Sequence, residues 1–262
     1  MKTMKKATTT TTMKRRDVLR AVAVGVPALT VAGAFERRGS GAPRADKEGA
    51  ATAAGAPAFA GRHAPVPLPF APGKLAGLSE RMIVSHHDNN YTAAIKNLNK
   101  VEEQLAAINK DTPGFLVAGL KERELTFTNS MILHEHYFGN LGGSGKVGGA
   151  IQQQLAASYG SLGKWEEQFR ALGLSLGGGS GWAIMDYNPH EGDVSSYWAG
   201  GHTQALAGGL PLLVMDMYEH AYAIDYGAAA AKYVDAFFQN INWDAVNGRL
   251  EAAEQATGRI RR

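Results

Sequence analysis

Asp216 and His220 stand four residues apart in the run Asp216-Met217-Tyr218-Glu219-His220-Ala221-Tyr222, directly after the apolar stretch Leu210 to Met215. A carboxylate at the end of a strand and an imidazole one helical turn later can face the same point in space. Both are ligands for a transition-metal ion. Two donors do not make a site, so the rest must come from elsewhere in the chain. The sequence holds 8 histidines, at 63, 86, 87, 134, 136, 190, 202 and 220, and no cysteine. Thiolate ligation, disulfides and a cysteine nucleophile are thereby excluded, and a donor set of His, Asp and Glu favours iron, manganese or zinc. His63 falls in a segment without apolar rhythm, and His190 in the turn Asn188-Pro189-His190-Glu191-Gly192, so both read as surface residues. His86 and His134 belong to two helical segments that could each offer one imidazole to the Asp216/His220 pair. His87 and His136 point elsewhere.

The elements that would position these residues follow from periodicity and punctuation. Ser79 reads as a helix N-cap with Glu80 in the first turn, and Ile83, Ala94, Leu98, Val101, Leu105 and Ile108 keep a helical rhythm to Asn109. Asp111-Thr112-Pro113-Gly114 ends it. A second helix is expected over Thr128 to Phe138, closed by Gly139-Asn140-Leu141-Gly142-Gly143. Helical segments near 148–158 and 162–172 come next. Trp182 to Tyr187, Val194 to Ala199 and Leu210 to Met215 read as three strands. Tyr218 to Asn240 and Trp243 to Ala256 are expected to be helical. The fold class is therefore α+β, with an N-terminal helical-hairpin domain (67–145) and a C-terminal α/β domain (146–262) carrying a three-stranded antiparallel sheet.

These residues together resemble the iron/manganese superoxide dismutases, over roughly residues 66–258. The family's D-x-W-E-H-A-Y-Y motif stands here as Asp216-Met217-Tyr218-Glu219-His220-Ala221-Tyr222-Ala223. Gly179-Ser180-Gly181-Trp182-Ala183 matches its G-S-G-W-A strand, and Asn242-Trp243-Asp244 its N-W-D before the last helix. Pro67-Leu68-Pro69-Phe70 is similar to its amino-terminal segment. Leu78-Ser79 with His86 seven residues after the serine, and His134 with Tyr137 three residues on, match the settings of its first two ligands. The resemblance implies one iron or manganese ion held by His86, His134, Asp216 and His220. It further implies conversion of superoxide to oxygen and hydrogen peroxide as the ion alternates between oxidation states. His202, in the loop Gly200-Gly201-His202-Thr203-Gln204, is the candidate donor to the metal-bound solvent. Gln204 is the alternative, because the family's usual glutamine position before the second ligand is Ser130 here. Trp182, Tyr137, Phe138, Tyr218 and Asn90 would line the pocket. Glu219 would reach the ligand histidine of a second subunit, in a homodimer or a dimer of dimers.

The departures from the family pattern cluster at the substrate gateway. The usual H-x-x-x-H-x-x-x-Y of the first helix reads His86, Asn90 and Ala94, and the second tyrosine of H-A-Y-Y is Ala223. Tyr91 lies one residue beyond Asn90 and faces another side of the helix. The same ligands could serve a slow oxidase, or a metal-binding or structural protein without turnover. A two-histidine/one-carboxylate oxygenase is disfavoured, because a fourth ligand closes the adjacent positions such chemistry needs.

The ends of the chain add a destination. The formal charge is +3. Residues 1–34 carry seven Lys or Arg against one Asp, so the remainder is acidic, and no basic stripe points to nucleic acid. Lys14-Arg15-Arg16-Asp17-Val18-Leu19-Arg20 before the mildly apolar Ala21–Ala34 resembles a twin-arginine export signal cleaved near Ala34. That run is too short for stable membrane insertion, and the expected location is periplasmic or secreted. Residues 35–66, rich in Ala, Gly, Pro and Arg, are expected to form a flexible tether.

Overall fold

The computed structural model describes residues 57–260; the export segment and most of the expected tether lie outside them. Ser79 caps α1 (Glu80–Ser85) by accepting from the Met82 amide at 3.1 Å. The chain then widens into a π-helical turn, His86–Tyr91, before resuming as α2 (Thr92–Ala106). An i→i+5 turn is uncommon and concentrates at functional sites. Here both of its ends, His86 and Tyr91, are buried. The second helix, α3, runs Gly114–Gly139, well before the expected start at Thr128. Its first turns carry the exposed Phe115 and Leu116 beside Val117 and Leu120. Apolar residues on every side leave no stripe to read. α2 and α3 pack along each other as the expected hairpin.

Beyond the hairpin come α4 (Ala150–Tyr159) and α5 (Leu162–Leu174), then the strands β1 (Trp182–Asn188), β2 (Asp193–Ala199) and β3 (Leu210–Asp216). The sheet is antiparallel in the order β2-β1-β3. Central β1 is covered on both faces, which explains its near-continuous buried pattern. Gly181, immediately before it, has φ +139, and a Cβ there would lie 2.3 Å from the Ala199 carbonyl oxygen. Only glycine admits that approach of the two strands. The segment 218–240 is not one helix. It is a short 3-10 turn (Glu219–Ala221), α6 (Ala223–Tyr226) and α7 (Ala230–Gln239), interrupted at Gly227 with φ +55. α8 (Trp243–Ile260) closes the chain.

The two halves are tied by buried amides. Asn140 Oδ1 accepts from the Val214 amide of β3 at 3.0 Å, fixing the end of α3 to the strand that delivers Asp216. Asn240 holds the Ala76 backbone in both directions, at 2.8 Å and 2.7 Å. The residues before Pro67 are also bound, contrary to the tether reading. The His63 amide donates to Asn99 Oδ1 at 2.9 Å, Asn99 Nδ2 returns a bond to the His63 carbonyl at 3.0 Å, and the His63 ring meets Glu102 at 2.8 Å. Among the described residues, no helix is long and apolar enough to cross a membrane.

Candidate metal centre

Four side chains from four places in the chain converge. His86 comes from the π-turn, His134 from α3, Asp216 from the end of β3 and His220 from the 3-10 turn after it. One donor atom from each lies within 4.8 Å of all the others. Asp216 Oδ2 is the focus: it stands 3.1 Å from Nε2 of His86, 3.1 Å from Nε2 of His220 and 3.7 Å from Nε2 of His134. The Asp216/His220 pair does not share a helix face, as the i,i+4 spacing suggested. Instead Asp216 Oδ1 accepts from the Tyr218 amide at 2.8 Å, and that turn folds His220 back over the strand end. The other oxygen of Asp216 is left for the cluster.

The donors are prepared as ligands. His134 Nδ1 donates to the Ser130 carbonyl oxygen at 2.6 Å, so its lone pair sits on Nε2, which has no hydrogen-bond partner although buried. A backbone carbonyl in this position fixes the tautomer of a ligand histidine. His86 Nε2 is likewise buried without an aligned partner. Buried imidazole nitrogens are normally satisfied, and a cation held among them would supply what is missing. Burial, and then the neighbouring His86, pushes His134 down to about 3. Burial also lowers His86 against the opposing pull of Asp216. For Asp216, burial works upward, but His220 and His86 outweigh it and hold the carboxyl far below its usual range. For His220, burial works downward and the Asp216 carboxylate outweighs it, so this ring is raised. Three imidazoles and one anionic carboxylate fit a hard or borderline divalent or trivalent ion.

Aromatic walls surround the cluster. Tyr137 and Phe138 meet His86 at ring distances of 5.1 Å and 5.0 Å. Trp182 stands opposite Asp216 in the β1/β3 register, on the same face of the sheet, and its indole meets His134 edge-on at 5.1 Å. Its Nε1 donates to His202 Nδ1 at 3.0 Å. Indole is a donor only, so His202 must present a lone pair at Nδ1 and, being lowered by burial, carry its one proton on Nε2. Tyr218 stacks on His202 at 5.0 Å and on His220 at 5.4 Å. A cavity of about 330 Å³ opens beside the cluster, with His134, His202, His220, Ser130, Asn90 and Ala94 among its walls. Gln204 does not take part: its side-chain oxygen accepts from the Gly200 amide at 2.7 Å within the exposed loop. Glu219 is exposed beside His220.

A superoxide dismutase [Fe] of Cupriavidus metallidurans is 50% identical over 188 residues, covering 71% of this chain and 95% of that protein. The chain belongs to the iron/manganese superoxide dismutase family. The family's C-terminal domain, described as "Iron/manganese superoxide dismutases, C-terminal domain", matches residues 147–249. An iron superoxide dismutase of Aquifex aeolicus is 34% identical over 194 residues (71% of this chain, 90% of that one). A manganese superoxide dismutase of Halobacterium salinarum is 31% identical over 194 residues (72% and 95%). Relatives named for either metal are thus similar to one and the same chain.

Two side chains that brace this dismutase-family site carried no sequence signal. Tyr233, fully buried in α7, donates to the Asp216 carbonyl at 2.7 Å and stacks on Tyr222 at 5.2 Å. Asn140, described above, braces the same strand. Tyr91 turns away from the cavity: its hydroxyl donates to Glu135 at 2.8 Å and accepts from the Val66 amide at 2.9 Å. His87 and His136 stay outside the four-residue group, as the sequence suggested; His87 Nε2 is engaged by the Val66 carbonyl at 2.9 Å.

Proposed function

We propose that this chain is a superoxide dismutase in which His86, His134, Asp216 and His220 hold one iron or manganese ion. The observation that carries the reading is the convergence of three Nε2 atoms on Asp216 Oδ2 in a chain 50% identical over 188 residues to an iron superoxide dismutase. An ion held by these four residues would supply the one-electron redox chemistry that dismutation of two superoxides requires. The protein supplies position and protons. Asp216 lowers the net charge of the site, and its Oδ1 bond to Tyr218 keeps the carboxylate from rotating. His202, with Nδ1 occupied by Trp182, has Nε2–H as its free donor on the cavity side, suited to hydrogen-bond solvent or peroxide-level oxygen there. Trp182, Tyr137, Phe138 and Tyr218 restrict water around the histidines. Asn90 and Ala94 leave the approach wider than the family's His and Tyr would. Metal analysis followed by a dismutation assay on protein loaded separately with iron and manganese tests the reading. Bound metal without dismutation in either form would refute it.

Assembly and location belong to the same proposal. Glu219 is an exposed carboxylate next to a ligand histidine, which supports a homodimer, alone or paired into a tetramer, in which each Glu219 bonds the partner's copy of His220. Sedimentation of Glu219→Ala against the parent checks this; unchanged assembly and metal retention would remove it. The Lys14-Arg15-Arg16 leader supports export through the twin-arginine route to the periplasm or beyond. A reporter fused after Ala34, with the arginine pair replaced by lysines, tests it by whether export stops.

A further inference from the structure

We propose that the cavity beside the metal cluster binds a small planar oxyanion of the carboxylate class, held by side chains as well as by the charge of the ion. The inference rests on the metal-centre reading above. Superoxide is diatomic, yet the cavity measures about 330 Å³. The share of one liquid water is roughly 30 Å³, and small-molecule sites begin at roughly 300 Å³. The space therefore exceeds what the substrate alone would fill and could admit a larger ligand. Its width comes from small residues: Ala94 and Ser130 stand on facing helices α2 and α3 where larger side chains would close it.

The chemistry of the walls selects the ligand. None of the lining residues is Lys, Arg, Asp or Glu, so the field that would draw anions is that of the ion, reduced by the Asp216 carboxylate beside it. The lining groups are neutral donors. The side-chain amides of Asn90 and Asn97 make no hydrogen bond to the protein, whereas the neighbouring Asn89 is engaged by the Ser85 carbonyl at 3.0 Å. His202 offers Nε2–H, because Trp182 occupies Nδ1. The Ser130 hydroxyl has only a long contact of 3.4 Å, to His134 Nδ1. Flat amides that can donate in pairs suit the two oxygens of a carboxylate or bicarbonate better than a single-atom anion. Phe127 gives the cavity one apolar wall, on which a short hydrocarbon tail can lie. The ligand would occupy the path to the ion and compete with superoxide for entry.

Nuclear relaxation of ¹³C-labelled bicarbonate, formate and butyrate, titrated with iron-loaded protein, tests the proposal without using activity. Saturable paramagnetic relaxation of at least one of them is expected. Ala94→Tyr fills the cavity, and Asn90→Asp places a negative charge in it; each should weaken that binding at least about tenfold. The two variants act by different means, so misfolding of one leaves the other as a test. Phe127→Ala separates the sources: weaker butyrate with unchanged bicarbonate assigns the site to tailed carboxylates, and bicarbonate binding alone assigns it to the tail-less ion. Iron-loaded, dismutating protein that relaxes none of the three, or relaxes them equally in both cavity variants, overturns this proposal alone. A chain that takes up no metal overturns the metal-centre reading and this one with it.

Discussion

Replacing Asp186 by asparagine should stabilise the protein, and by an amount that depends on pH in a defined direction. Asp186 lies in β1 with 2% of its surface exposed, and its Oδ1 has no hydrogen-bond partner. The other oxygen rests against the Gly209 backbone, where an added Cβ would come within 2.7 Å. Burial pushes the carboxyl from 3.8 to about 7. The folded chain thus holds a proton that the unfolded chain releases, and stability must fall as pH rises. Below 3.8 both states are protonated and there is no penalty; the loss accumulates up to about 7 and is complete above it. A shift of about 3 units costs roughly 4 kcal/mol at pH 8, of which roughly 2 kcal/mol has accrued by pH 5. Asp186→Asn keeps the shape and cannot ionise. Urea unfolding of parent and variant, equally metal-loaded, should show a gap that widens by about 2 kcal/mol between pH 5 and pH 8. Parallel curves across that range would show that Asp186 ionises in the folded state without penalty, and the reasoning would fail.

Three further outcomes are expected. Asp216→Asn removes the anionic ligand and should lower bound metal at least about tenfold by elemental analysis; full occupancy would disprove the ligand assignment. Tyr233→Phe leaves the Asp216 carbonyl unpaired in the core and should cost about 1–3 kcal/mol. The same variant should lose metal to a chelator faster than the parent; equal release would limit Tyr233 to packing. Gly181→Ala forces φ +139 on a residue with a Cβ 2.3 Å from the Ala199 carbonyl oxygen, and should destabilise by about 2 kcal/mol. An unchanged melting temperature would refute the close approach.

The four clustered positions were legible because each carries a local signature: a residue type at fixed spacing inside a recognisable strand or helix. The strands were legible for the same reason, since Leu210–Met215 is a short apolar run between glycines and an acidic turn. What failed depends on distance along the chain. The early start of α3 was hidden by Gly114, Gly119 and the unpatterned Phe115-Leu116-Val117. Residues 60–66 have the composition of a tether, and the side chains that bind them down, Asn99, Glu102, Tyr91 and His87, lie far downstream. The π-turn at His86 is not readable from periodicity, because only Ile83 stands before it in the apolar rhythm, too little to reveal the change of phase that one extra residue makes. The roles of Tyr233 and Asn140 depend on which carbonyl and amide they meet across the fold. Asp186 is a lone acidic residue in a strand whose other residues up to Tyr187 are apolar, and its burial follows from the covering of both faces of β1.

The origin of the four clustered side chains has a mechanical consequence. His86 and His134 belong to the hairpin half, Asp216 and His220 to the sheet half, so one ion gripped by all four would pin the two halves together. In a chain with no cysteine, such coordination would be a reversible cross-link that closes a loop on the order of 100 residues, a length at which a covalent bridge restricts the unfolded chain by roughly 4–5 kcal/mol on the chain-entropy view. A chelator would then act on this protein as a reductant acts on a disulfide-bonded one. It would cut the brace first and leave the amide ties of Asn140 and Asn240 to hold the halves in place.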